Sequence, residues 1–200
     1  MRGDPVGVSS TLYSAGRGWT VVTENQMQAR IHTDRLILRP FEPSDAERAF
    51  EWLGDPVVMQ FTPAGPDKSI EETRARLIGY QNHQKAHGFS KWLIVERDSG
   101  VAIGDSGLLV LQDYGWVDLG FRFAQPYWGK GLATEVASAW VRTAFDELGV
   151  SRLGAFVHPE NVASIHVLEK VGFRAERHEM VMGMDSIVFS LDVKTSKGSH

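Results

Sequence analysis

The stretch "PYWGKGLATEV", Pro126 to Val136, limits what this chain can fold into more than any other part of it. Before it, "WVDLGFRF" reads as a strand; after it, Leu132 opens a helix that runs to about Leu148, and "RLGAFVH" reads as the next strand. A strand, a crossover helix and a strand make a parallel pair, here inside a sheet whose other connections are short and antiparallel. Gly129 and Gly131 let the backbone bend closely, and the N–H groups at the helix start have no partner in a preceding turn. The helix dipole adds about half a unit of positive charge there, so a phosphate or pyrophosphate is the natural guest. A plain turn that merely starts a helix is the competing reading. Two phosphate motifs fail: a nucleotide P-loop needs its lysine after the second glycine, where here Lys130 precedes it. A dinucleotide fingerprint needs glycine at Thr134 and an acidic residue at His158.

Around this unit the pattern is that of one mixed α/β domain, expected over residues 30–194. Residues 1–29 read as a loosely held extension with a short strand-like "WTVV" (Trp19 to Val22), and 195–200 as a tail. In "TDRLILRPF" Leu36 and Leu38 share one strand face, and Pro40 ends the strand. Two helices follow, each with a capping-box spacing, Ser44 with Glu47 and Ser69 with Glu72. Their apolar stripes are Ala46, Ala49, Phe50, Leu53 and Ile70, Thr73, Leu77, Tyr80. Then "KWLIVER", "VAIGDSGLLVLQ" and "WVDLGFRF" read as a three-strand meander. After the crossover come a short helix at about Val162 to Val171, closed by Gly172, and two strands around Phe173 to Val181 and Ser186 to Val193. Trp92, Trp116, Trp140 and Phe145 are read as core.

Composition narrows the function classes. A net charge of -4 without a Lys/Arg cluster argues against nucleic acid as a partner. The absence of cysteine removes disulfides, thiolate metal ligands and any cysteinyl intermediate, and suits a reducing, cytoplasmic setting. No run approaches the roughly 18 apolar residues of a spanning helix, so no membrane association is expected. His83 and His87 stand at i, i+4, but Gln84 replaces the glutamate of a zinc-protease helix, so a surface pair is expected and no metal. "GDSG" at Gly104 to Gly107 matches a serine-protease nucleophile segment, but Ser106 sits mid-strand in a cysteine-free chain with long helices, and a hydrolase is the weakest reading.

Four segments, in order, carry a family resemblance: "TDRLILRPF", "VDLGFRF", "WGKGLATE" and "ENVASIHVLEKVGF". Over about residues 32 to 193 the chain resembles the GNAT superfamily of N-acetyltransferases, in particular its Rim-type branch of ribosomal-protein N-acetyltransferases. It departs at Trp128, where Gln or Arg is usual, and at Leu168, where many members have a tyrosine. The resemblance implies the mixed α/β GNAT fold, a mostly antiparallel sheet with one splayed parallel pair and helices on both faces, and acetyl-coenzyme A as co-substrate. It implies that the backbone amides of Gly129, Lys130, Gly131, Leu132, Ala133 and Thr134 take the pyrophosphate. Backbone groups of Phe121 and Phe123, and the side chain of Asn161, would meet the pantetheine arm. Lys130 has the competing reading of a solvated loop residue.

Acetyl transfer needs a neutral amine, a polarised thioester carbonyl and a proton for the departing thiolate. By the resemblance, Asp118 is the base, a backbone N–H near Phe121 to Phe123 polarises the carbonyl, and Ser164 serves the sulfur in place of the tyrosine. Against these stand a solvated strand carboxylate for Asp118 and simple helix capping for Asn161 and Ser164. The expected acceptor is an N-terminal α-amine of a peptide or protein, or a small amine, taken up by a monomer or homodimer. A coenzyme-binding module that has lost catalysis is the other reading that stays open.

Overall fold

The computed structural model describes residues 30–193; the extension with its "WTVV" segment and the C-terminal tail lie outside the described residues. Among the described residues one sheet of eight strands runs in the order β1-β2-β3-β4-β5-β6-β8-β7. The strands are β1 (Ile31–His32), β2 (Leu36–Pro40), β3 (Lys91–Glu96), β4 (Ala102–Leu111), β5 (Trp116–Phe123), β6 (Arg152–Val157), β7 (Arg174–Val181) and β8 (Met184–Asp192). The helices are α1 (Ala46–Leu53), α2 (Pro56–Met59), α3 (Ile70–His87), α4 (Leu132–Arg142) and α5 (Val162–Lys170). Every neighbouring pair is antiparallel except β5 and β6, which the α4 crossover makes parallel.

Period-two alternation sends each strand's side chains to two separate cores. On one face Leu38, Ile94, Leu108, Leu119 and Leu153 pack with Val136 and Trp140 of α4 and Leu168 of α5. On the other, Leu93 packs with Phe41, with Trp52 and Leu53 of α1 and with Leu77 of α3. Trp92 and Trp140 meet edge to face at 5.1 Å in the first core, and Phe145 packs partly against it. Trp116 does not join them. Its ring lies on the opposite face over Gly154, where an added Cβ would come within 2.4 Å of it.

Three local readings need correction. Ser44 does not cap α1: the Asp45 carboxylate accepts from the Glu42 N–H at 2.7 Å and a short 3-10 turn, Pro43–Asp45, leads into the helix. Asp45 wins because Arg39 holds its carboxylate in a two-pronged ion pair that points it back at the turn. On α1 the buried stripe takes Trp52 rather than Phe50, since the indole N–H reaches Asp105 at 2.8 Å under the helix. At α3 the Ser69 hydroxyl does accept from the Glu72 N–H, while the Glu72 carboxylate reaches one residue further back, to the Lys68 N–H. The helix after the glycine bend ends its α form at Arg142 and continues as a wider π turn, Thr143–Glu147.

Candidate active site

The parallel pairing of β5 and β6 stops almost as soon as it begins. Only Val117 with Leu153 and Asp118 with Gly154 are in register; beyond them Leu119–Phe123 and Ala155–Val157 share no ladder. A gap therefore opens toward the C-terminal ends of both strands, and the bend of residues 124–131 hangs over one of its lips. In that bend Gly129 and Gly131 hold φ values of 72° and 75°, the left-handed region that side chains disfavour. Gly131 is the N-cap of α4, and the first helical hydrogen bond runs from the Glu135 N–H to the Gly131 carbonyl. Among the described residues, none of the six N–H groups from Gly129 to Thr134 has an acceptor. They form a row of donors at a dipole's positive end, which suits a multiply charged phosphate group.

Side-chain contacts that the sequence did not foretell hold this bend in shape. The Trp128 indole N–H donates to the Phe123 carbonyl at 2.7 Å, so the tryptophan departure acts as a strut between loop and strand. Arg35 donates to the Lys130 carbonyl at 2.8 Å and pairs with Glu135 at 2.7 Å. Glu135 also accepts from the Arg35 backbone N–H and the Thr33 hydroxyl. Burial works to raise its pKa, but these donors outweigh burial and hold it below the usual glutamate value. Lys130 itself points away from an anion role: it is exposed, and its ammonium lies 5.1 Å from the centre of the Tyr127 ring.

Asp118 lies at the apex of the gap, on the face covered by α1 and α3. It is 7% exposed, so it is not a solvated strand carboxylate. Burial pushes its pKa up to about 6, with the nearby Lys91 charge and, more weakly, the Trp116 indole and the Phe156 backbone N–H acting in the opposite direction, though no donor sits at hydrogen-bond geometry to Oδ1. Across the gap, α5 packs on the α4 face. There the Asn161 Oδ1 accepts from the Ser164 N–H at 3.2 Å, a helix cap that leaves the Asn161 amide N–H groups and the Ser164 hydroxyl without partners among the described residues. Leu168 is buried in the main core, so the position of the family's tyrosine presents no polar group. Phe123 is buried with its carbonyl taken by Trp128, and Phe121 packs partly against the main core.

A short segment roofs the mouth of the gap. The Gln125 amide, just past β5, donates to Asp55 at 2.6 Å, and the Phe61 ring stacks on His158, just past β6, at 5.1 Å. Helix α2 between them has no periodicity long enough to be read from sequence, and its two ties join residues far apart in the chain.

The remaining chemistry-bearing residues take structural roles. Ser106 is fully buried and donates to the Gly120 carbonyl at 3.0 Å, which ties two strands together and leaves no access for a hydrolase substrate. His83 is no surface residue: its Nδ1–H donates to the Phe89 carbonyl and its Nε2 accepts from the Val110 N–H, so the ring closes the edge of β4 where β3 has not yet begun. Burial lowers its pKa to about 4, which keeps it neutral. Among the described residues no three His, Asp or Glu side chains are grouped to hold a metal ion, and no helix is long and apolar enough to cross a membrane.

The strand gap, the glycine bend and the donor row together define an acyl-coenzyme A transferase fold. The family model for the acetyltransferase (GNAT) domain matches residues 35–174, and the chain belongs to that family; it is an acetyl-coenzyme A-dependent N-acetyltransferase. It is 34% identical over 148 residues to the uncharacterized N-acetyltransferase YoaA of Bacillus subtilis, covering 73% of this chain and 83% of that protein. YkkB of the same organism is 32% identical over 148 residues, covering 72% and 85%. Among solved structures, a GNAT-family acetyltransferase from Bacillus anthracis superposes with a TM-score of 0.71 at 26% identity over 82% of this chain and 98% of that one. Mycobacterium smegmatis RimJ, solved in complex with CoA-disulfide, shares the fold with a TM-score of 0.75 at 21% identity, covering 87% and 92%.

Proposed function

We propose that the domain of residues 30–194 transfers acetyl from acetyl-coenzyme A directly to an N-terminal α-amine of a peptide or protein, with a small amine as the second choice. The observation that carries the cofactor placement is the row of unpartnered N–H groups from Gly129 to Thr134 beside strands that part after Asp118. The pyrophosphate takes that row, and the pantetheine arm lies in the gap against the backbone of Phe121 and Phe123 and the Asn161 amide. Asp118 takes the proton as the amine nitrogen attacks the thioester carbonyl. The C–N bond forms, the C–S bond breaks, and the Ser164 hydroxyl donates to the departing sulfur from the other side of the gap.

The acceptor class follows from proton chemistry. A peptide α-amine titrates near 8 and a lysine near 10.4, so at pH 7 roughly a tenth of the first is neutral but well under a thousandth of the second. A carboxylate pushed up to about 6 is a base matched to the first of these. The test is kcat/KM for short peptides with free and blocked N-termini, set beside a polyamine and an aminoglycoside. A preference for free N-termini supports the reading; indifference to blocking, with faster turnover of the small amines, rejects it. Leu168 in place of an acidic side chain favours the second reading, a coenzyme-binding module without catalysis. Absence of thiol release across the whole amine panel, with coenzyme bound, would establish that one.

A further inference from the structure

Four ionisable groups are buried between the sheet and helices α1 and α3: Lys91 on β3, Asp105 on β4, and Asp118 and Arg122 on β5. Arg122 is committed. Its guanidinium contacts Asp105 at 2.8 Å and donates to the Tyr80 hydroxyl of α3 at 2.8 Å, and Asp105 also accepts from the Trp52 indole of α1. That leaves Lys91 and Asp118 as the uncommitted charges. Lys91 makes one hydrogen bond, to the Gly107 carbonyl at 3.1 Å. Asp118 Oδ1 has no partner at hydrogen-bond geometry, and the Trp116 indole and the Phe156 backbone N–H act on the carboxylate more weakly than the Lys91 charge does. The sheet register lines up Lys91, Gly107 and Gly120 across β3, β4 and β5, so the lysine arm crosses two positions that carry no side chain. A Cβ added to Gly120 would lie 2.3 Å from Lys91 Nζ and 3.8 Å from Asp118 Oδ2. Both charged heads thus gather at one point above Gly120 without forming a direct ion pair. From β7, Arg177 lies over the Trp116 ring beside this point. On that face β6 offers Gly154, Phe156, whose backbone N–H acts to lower the Asp118 pKa, and Arg152, which is paired with Glu176 and Asp192.

The geometry points to Lys91 as a positioning residue of the reaction: its ammonium, threaded over Gly107 and Gly120, keeps the Asp118 carboxylate ionised and aimed at the apex of the gap, where the acceptor amine must lose its proton. A buried carboxylate without a nearby cation protonates instead, and a protonated Asp118 accepts nothing. The glycine at 120 is then required by the ammonium above it. Burial lowers the Lys91 pKa to about 8, and the Asp118 charge acts to raise it, so at neutral pH the ammonium is retained. This inference rests on the reading of Asp118 as base.

The test is the pH profile of kcat/KM, whose acid limb reports the essential base of the free enzyme. Wild type is expected to lose activity below about pH 6. In Lys91→Met the limb should move up by about one pH unit or more, a loss of about fivefold or more at pH 6, with acetyl-coenzyme A affinity unchanged within about twofold. Gly120→Ala, which keeps both charges but displaces the ammonium, should move the limb the same way. Asp118→Asn separates the two ideas: wild-type activity in that variant sinks the base itself. A large loss there, with the limb of both Lys91→Met and Gly120→Ala still near 6, sinks the role of Lys91 alone. The wild-type protein supplies an independent reading by NMR of the Lys91 side chain. Titration near 8, shifted further down in Asp118→Asn, supports the coupling; an ordinary lysine midpoint unmoved by Asp118→Asn overturns it.

Discussion

Arg35 and Glu135 face each other at 2.7 Å across the first turn of α4, and a second nitrogen of the same guanidinium holds the Lys130 carbonyl. One strand-end arginine therefore fixes both sides of the glycine bend. The carbonyl it restrains would otherwise be free to turn toward the site where an anion is to bind. Arg35→Ala is expected to weaken acetyl-coenzyme A binding about fivefold, the worth of about 1 kcal/mol for a half-exposed charged hydrogen bond. Titration calorimetry reads this directly, and kcat at saturating coenzyme should be kept.

Gly131→Val tests the bend itself. The position has a φ of 75° and open space around it, with only the Arg35 guanidinium near an added Cβ, at 3.7 Å. The harm therefore comes from the backbone, where a β-branched residue in the left-handed region costs about 1–3 kcal/mol. A folded variant should bind acetyl-coenzyme A at least about tenfold more weakly, because relieving that strain turns the N–H row away. Unchanged affinity by calorimetry would remove the pyrophosphate from this loop.

Asp118→Asn and Ser164→Ala separate chemistry from binding. Both should leave coenzyme affinity near wild type and lower the rate at saturating coenzyme, Asp118→Asn by about a hundredfold or more as expected for loss of a general base. The serine effect should be smaller, since a thiolate is a tolerable leaving group near neutral pH. Rates within about twofold of wild type in both variants would make these residues structural.

His83 gives the fold a defined acid sensitivity. Its ring must stay neutral for Nε2 to accept from the Val110 N–H, and its pKa is depressed to about 4 from an unfolded value near 6.5. Between those values the unfolded chain binds the extra proton, so the histidine's contribution is whole above pH 6.5 and is lost as pH falls toward 4. Thermal melts from pH 7 to 4 should fall less steeply for His83→Gln than for wild type. Parallel curves would show that the ring does not govern this edge.

What the sequence disclosed was whatever local rules govern. Alternation placed Leu36 and Leu38 in the core, and the strand, glycine bend and helix order foretold a parallel β5–β6 pair. Four spaced segments were enough to identify the family. The shape of the site depends instead on partners distant in sequence. Nothing near Trp128 says that its indole will brace Phe123, nor anything near Lys91 that its ammonium will rest on Gly120. The sequence reads Asp118 as the base, with a solvated carboxylate as the competing reading, and His83 as a surface histidine. Spacing names a face, and whether that face is wet depends on partners distant in sequence, Lys91 for Asp118 and the Phe89 and Val110 backbone for His83. The Asp45 cap was hidden by Arg39, a residue outside the capping window.

A sheet that stops pairing at Asp118 and Gly154 is left with part of its cohesion unspent. Whatever enters the gap joins two halves whose backbone ladders otherwise meet at only two residue pairs, so the ligand behaves as a removable strand. By mass action, a ligand that binds only the folded chain adds about 2.7 kcal/mol at a concentration a hundredfold above its Kd. The robustness of this fold would then follow the acetyl-coenzyme A supply of its surroundings, and starvation for acetyl groups would leave the chain easier to unfold before it left it idle.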